Sequence, residues 1–153
     1  GGLRRVHLLY VRLRGRPASP DSTRPFTLLE FTVIVGKRGG NDMMSQATVK
    51  LSVGGEVMHT AAEGDGPVNA LDQAIRKALL PHYPELAEVH LVDYKVRILT
   101  SGTEAVTRVM IESIDGKGQR WSTVGVSANI VDASFEALTD SITYKLYKEG
   151  IVP

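Results

Sequence analysis

The chain repeats itself at an offset of 63 residues, the distance from Gly55 to Gly118, and this limits its architecture more than any local pattern does. GEVMHT (Gly55 to Thr60) falls on GQRWST (Gly118 to Thr123). Downstream, Val68, Asn69, Ala70, Ala74, Ile75 and Leu79 fall on Val131, Asp132, Ala133, Ala137, Leu138 and Ile142. Upstream, Leu29, Glu30, Phe31, Val33 and Val35 fall on Val92, Asp93, Tyr94, Val96 and Ile98, so the register reads as ungapped. A common period running through strand-like and helix-like stretches implies two copies of one supersecondary unit. Such a pair is expected to build its site or interface between the copies.

Within the first copy, Leu29, Phe31, Val33 and Val35 alternate with Glu30, Thr32 and Ile34, the pattern of a strand with one buried face. Lys37 to Asp42, with Gly39, Gly40 and Asn41, must turn. Ala47, Val49, Leu51 and Val53 predict a second strand, and Gly54-Gly55 predicts a two-residue hairpin into a third at Glu56 to Ala62. Val68, Leu71, Ile75, Ala78 and Leu79 then share one helical face, starting near Pro67 and ended by Pro81 and Pro84. The second copy follows suit: strands over Val92 to Ile98, Ala105 to Ser113 and Arg120 to Val126, a hairpin marked by Asp115-Gly116, and a helix along Ile130, Ala133, Ala137, Leu138, Ile142 and Leu146. The fold class expected is α+β, two βββα units with three-stranded antiparallel sheets and one helix each. Because one helix covers one face of a sheet, either the two sheets meet or a second chain covers the rest, and a homodimer is expected. Repeat 1 spans about 26–83 and repeat 2 about 86–149.

Composition narrows the function classes. A hydrophobic content of 42% in 153 residues supports a proper core. No apolar run approaches the ~20 residues of a membrane span, and no signal-peptide pattern is present. The absence of cysteine excludes disulfides and thiolate chemistry and fits a reducing cytoplasm. The net charge of +1 conceals an asymmetry: the first 24 residues hold six arginines against Asp21, leaving twelve basic and sixteen acidic residues for the remainder. An acidic folded domain argues against nucleic acid as a partner, because phosphate binding needs basic groups clustered on the folded surface. Residues 1–25 read as a basic tail or linker remnant, within which Val6 to Leu13 has the composition of a docking strand or short helix.

The four histidines, His7, His59, His82 and His90, show neither HxH nor HExxH spacing, and no metal or cofactor is expected in this domain. Scattered carboxylates give no paired acid and base, so no catalytic residues are assigned. GDGPVNA, from Gly64 to Ala70, is the most informative segment. Glycines ahead of a helix start let backbone approach a ligand, and the free amides there favour a carboxylate. Asp65 beside them suits an ammonium group, so the turn matches a zwitterion such as an amino acid. The alternative is a tight strand-to-helix turn with no ligand.

TAAEGDGPVNALDQAIRKAL, LVDYKVRIL and WSTVGVSANIVDASFEALTDSITYKL closely resemble the C-terminal regulatory domain of the 2-isopropylmalate synthase and citramalate synthase family, from about Phe26 to Lys148. The resemblance implies a homodimer of βββα pairs that binds leucine or isoleucine as a feedback inhibitor in branched-chain amino-acid biosynthesis. It implies further that the acetyl-CoA-dependent acyltransferase activity resides in an upstream catalytic barrel of the parent chain. A barrel of about 250 residues exceeds this chain. Carried over by motif, the effector would touch Gly64, Asp65, Gly66, Val68 and Asn69. Leu91, Tyr94 and Ile98 would line an aliphatic pocket, and Val126 with Ala128 would close it. Asp65 stands where the leucine-inhibited pattern commonly has Asn, and VNALD is closer to the citramalate synthase subgroup. A branching difference in such a pocket is worth only ~1 to 3 kcal/mol, so leucine and isoleucine both stay open. The competing readings are a structural dimerisation domain without effector binding and a freestanding enzyme.

Overall fold

The computed structural model describes residues 3–7, 25–38, 42–101 and 104–151. The expected turn at Gly39 to Asn41 and tail residues 8–24 lie outside them. The described part forms two compact units, residues 1–84 and 85–153. In the first, β1 (Leu3–His7), β2 (Thr27–Arg38), β3 (Asp42–Val53) and β4 (Glu56–Gly64) make an antiparallel sheet in that order, followed by α1 (Pro67–Leu79). In the second, β5 (His90–Ser101), β6 (Glu104–Ile114) and β7 (Arg120–Ser127) make a three-stranded antiparallel sheet, followed by α2 (Ile130–Lys148). The chain is thus a βββα unit built twice. The tail adds something the repeat did not predict: β1 joins the first sheet along β2, making it four-stranded.

The repeat survives at atomic detail. Thr60 Oγ1 donates to the Ala74 carbonyl at 2.7 Å, and Thr123 Oγ1, 63 positions later, donates to the Ala137 carbonyl at 2.7 Å. A β-bulge interrupts β2 between Leu28 and Glu30, and its counterpart interrupts β5 between Leu91 and Asp93. Such bulges insert one extra residue and turn the strand's side chains over. Leu28 therefore shares a face with Phe31, and Leu91 with Tyr94, although strict alternation places each pair on opposite faces.

One expectation needs correction: the repeat is not ungapped. Phe31 pairs with Val49 whereas Tyr94 pairs with Ile111, so the middle strands correspond at an offset of 62. The first hairpin closes at Arg38–Asp42 in one copy and Ser101–Glu104 in the other, one residue shorter. The next hairpin compensates with one extra residue between equivalent positions, Val53 and Glu56 in the first copy and Asp115 and Gln119 in the second. Val53 and Glu56 flank Gly54 and Gly55, whose φ values of 56° and 81° suit a type I′ turn. In the second copy β6 ends at Ile114 and β7 begins at Arg120, and it is Gly118, not Gly116, that takes positive φ, 79°. Asp115 organises this loop by accepting the Lys117 amide at 3.0 Å and the Gln119 amide at 2.9 Å.

α1 lies chiefly over β3 and β4, and α2 over β6 and β7. Phe31, Val33, Ala47, Val49, Leu51, Leu71, Ala74, Ile75 and Leu79 form the first core, all fully buried. Val109, Ile111, Val131, Ala133, Ala137, Leu138, Ile142 and Leu146 form the second. Here the copies diverge. On β2 the helix-side residue Val33 has 0% exposure, whereas its counterpart Val96 on β5 has 40%, and Ile98 has 68%. The second core also buries polar groups: Ser113 and Ser141 hydroxyls meet at 2.6 Å, and the Trp121 indole donates to the Ser141 carbonyl and hydroxyl at 3.1 and 3.0 Å.

Candidate functional site

The strand-to-helix turns of the two copies occupy equivalent positions and solve the same problem differently. An α-helix leaves its first amides without intrahelical partners. At the start of α2 the Asn129 side chain accepts from the Val131 and Asp132 amides at 2.8 and 3.2 Å, and Asp132 adds negative charge to the first turn. This is a self-satisfied cap. At the start of α1 the equivalent position is Gly66, which has no side chain to offer, followed by Pro67 at the first helical position. No acidic residue occupies the first turn of α1, and no side chain caps it. The Val68 and Asn69 amides, equivalent to those that Asn129 holds, have no side-chain cap, and Asp65 just ahead of them is exposed.

The two glycines of this turn have separate roles. A Cβ on Gly64 would lie 2.6 Å from the Ala70 nitrogen, so Gly64 is glycine because helix backbone presses on it. A Cβ on Gly66 would meet nothing within 4 Å, and its φ of −149° is open to any residue. Packing explains Gly64 and leaves Gly66 unexplained. In the second copy the close approach moves two strand positions: there it is Gly125, aligned with Ala62, whose Cβ would strike the Ala133 carbonyl oxygen. Ala133 is itself the counterpart of Ala70.

The remaining expected residues belong to the second unit. The β5 bulge sets Leu91, Tyr94 and Ile98 on the sheet face that α2 packs against. Tyr94 is half-buried, and burial raises its hydroxyl pKa, opposed by a hydrogen bond with the Ser134 side chain of α2. Asp93 fixes the bulge by accepting the Tyr94 amide at 2.8 Å. Val126 pairs with Arg108, which pairs in turn with Arg97, so it occupies the opposite sheet face from Tyr94 and Ile98. The structure does not bring these together. Ala128 is exposed in the turn beside Asn129.

Sequence reasoning does not single out Val96 or Ile130 for the site. Val96 lies between Tyr94 and Ile98 on the same face, and Ile130 opens α2 with 38% exposure, next to the end of β7. The alternation at Val96 was visible, but it read as core because its partner in the first copy, Val33, is core. Among the described residues no group of three or more histidine, aspartate or glutamate side chains could hold a metal, and no helix is long and apolar enough to cross a membrane.

The sequence also matches known proteins. Residues 11–146 match the family model of the LeuA allosteric (dimerisation) domain. The chain is 57% identical over 126 residues to an (R)-citramalate synthase of Geobacter sulfurreducens, covering 80% of this chain and 24% of that protein. It is 45% identical over 148 residues to an (R)-citramalate synthase of Streptomyces coelicolor, covering 95% and 27%. A 2-isopropylmalate synthase of Geobacillus sp. is 34% identical over 143 residues, covering 94% and 25%. The chain therefore spans about a quarter of the length of the curated relatives it matches. With its βββα unit built twice and its match over residues 11–146, the chain belongs to the LeuA allosteric (dimerisation) domain family.

Proposed function

We propose that this domain senses a branched-chain amino acid, leucine or isoleucine, and relays its presence as feedback inhibition to the catalytic region of a cytoplasmic citramalate or 2-isopropylmalate synthase, an acyltransferase of branched-chain amino-acid biosynthesis. The observation that carries this reading is the uncapped start of α1, set against the capped start of α2 in the same fold. A carboxylate bound to the Val68 and Asn69 amides would do for α1 what Asn129 does for α2. Asp65 suits the ammonium group, and Leu91, Tyr94, Val96 and Ile98 offer the kind of apolar surface an aliphatic side chain requires. Regulation follows if the effector binds one arrangement of a homodimer better than another, because a ligand shifts an equilibrium only by its differential affinity.

Calorimetric titration with leucine and isoleucine tests the class and the specificity together. Saturable heat with one in preference to the other supports the sensor, and silence from both with a folded protein supports a purely structural dimerisation role. The sharper experiment is Gly66→Asn, which copies the Asn129 cap onto α1. The expected result pairs two opposite signs: stability unchanged or raised by a few tenths of a kcal/mol, and amino-acid affinity reduced at least ~10-fold as the side-chain oxygen takes the effector's amides. Retained affinity in that variant would remove α1 from the site.

A further inference from the structure

The face of the second sheet turned away from α2 carries a feature that amino-acid sensing does not use. Cross-strand pairing sets Arg97 directly opposite Arg108 and Lys95 directly opposite Met110. Val126 flanks Arg108 on the third strand, and Val124 flanks Met110. Lys95, Arg97, Arg108 and Met110 together line a depression of about 300 Å³. Like charges directly opposite across two strands repel, so this arrangement is destabilising unless something neutralises it.

Nothing described in the chain does so. The nearby carboxylates face other cations than these two arginines: Asp93 lies 3.8 Å from Lys95, at the edge of the same depression, and Glu112 lies 3.4 Å from Arg120. Arg76 pairs with Asp72 at 3.0 Å. Among the described residues, Arg97 and Arg108 alone of the arginines with described side chains have no carboxylate partner, and they are the two that face each other.

The first copy supplies an internal control. The positions equivalent to Lys95, Arg97, Arg108 and Met110 are Thr32, Ile34, Gln46 and Thr48, which pair with one another in the same register. The βββα unit therefore folds without any cation there. The three charges are a property of the second sheet alone and are unrelated to its packing, since all three side chains are exposed and none reaches the core.

We propose that this depression is a binding site for a small multivalent oxyanion, of the phosphate-ester or di- or tricarboxylate class. Two guanidinium forks converging on one space match the paired oxygens of carboxylate or phosphate, and Lys95 adds a point charge at the rim. Met110, Val124 and Val126 give an apolar border that admits a short carbon skeleton. Occupancy cancels the Arg97–Arg108 repulsion, so the anion stabilises the second unit as well as binding to it.

Inorganic pyrophosphate and citrate are the probes, titrated at about 10 mM ionic strength where surface charges are least screened. Both are expected to raise the melting temperature of the wild-type domain saturably, with the effect falling as salt rises. Arg97→Gln and Arg108→Gln are expected to melt no lower than wild type without anion, because each removes a repulsion. Each should also weaken the apparent anion affinity on the order of tenfold or more. Leucine and isoleucine titrations should be unaltered in both variants. No saturable response to either probe, or an undiminished response in the double variant, overturns the proposal. Sedimentation separates the other source of oxyanions, acidic side chains of a second copy: if the double variant loses self-association while wild type ignores both probes, the arginines serve contact between copies and the small-anion site is rejected.

Discussion

Gly125→Ala is expected to destabilise the second unit by ~3 kcal/mol or more, above the usual range for overpacking. The added Cβ would strike the Ala133 carbonyl oxygen and stand 2.9 Å from both the Ala133 carbonyl carbon and the Ala137 nitrogen. All three atoms are helix backbone, so no rotamer change relieves the clash and α2 must lift off β7. Lifting it stretches the Thr123 hydrogen bond to Ala137 and the Trp121 contacts with Ser141. Trp121 is the only tryptophan, so its fluorescence in urea reports this unit specifically. With a slope of ~1 to 3 kcal/mol per molar urea, the midpoint should fall by about 1 M or more. Gly66→Asn serves as the control, since its side chain enters open space. A wild-type midpoint for Gly125→Ala would mean that helix and strand stand farther apart than described.

Lys145→Met is the second large effect, and it carries a pH signature. The Lys145 ammonium is buried on α2, 3.0 Å from Asp115 and 2.7 Å from Glu149, and the Asp115 carboxylate is buried with it. Burial alone would lower the Lys145 pKa, but hydrogen bonds and charge from Glu149 and Asp115 outweigh it and raise the value above 10.5. Burial alone would raise Asp115, but the Gln119 amide, the Lys145 ammonium and the Lys117 amide outweigh it and lower the value below 3.8. The stabilisation from Asp115 is therefore complete above pH 3.8 and lost as pH falls through its depressed folded value. The stabilisation from Lys145 is complete below pH 10.5 and lost as pH rises through its elevated folded value.

Removing Lys145 leaves Asp115 buried against an apolar side chain. A melting-temperature loss on the order of 10 °C at neutral pH is expected. The acid limb of the stability profile should also flatten, because Asp115 loses the ammonium that helps to hold its folded pKa down, and less stability is then lost as pH falls. Adding Asp115→Asn to Lys145→Met removes the stranded charge and should recover part of the loss, while removing what remains of the Asp115 contribution to the acid limb. A single variant whose acid limb is as steep as that of the wild type would sink the pairing. Thermal melts followed through Trp121 between pH 3 and 11 make both comparisons.

The alternating apolar residues made most of the fold legible. Phe31 and Val33, Val49 and Leu51, and the spacing of Leu71, Ile75 and Leu79 predict their elements because burial is periodic in strands and helices alike. The tail strand Leu3–His7 was less legible, since pairing on a sheet edge leaves little mark on composition. The offset of 62 in the middle strands is hidden in the sequence because a shorter first hairpin and a longer second one cancel, restoring the offset of 63 on either side. Leu91 could be matched to Tyr94 by resemblance but not by alternation, which the bulge at Val92 reverses. Lys145 and Asp115 are thirty positions apart and interrupt no pattern, so a buried ion pair leaves no periodic trace. At the candidate site, sequence identified the glycine turn, but only geometry separates Gly64, which the helix demands, from Gly66, which it does not. Sequence likewise gave no sign that Val126 faces away from Tyr94.

Had both copies a glycine before the helix, the domain would present two equivalent uncapped turns, and the proposed effector would be expected to bind twice per chain. Asn129 closes the second opening with its own side-chain oxygen. Duplication here has produced two different turns: one helix start is left without a side-chain cap and the other is capped by its own asparagine. A titration should accordingly saturate at one molecule per chain, and its curve should follow a single affinity within each chain.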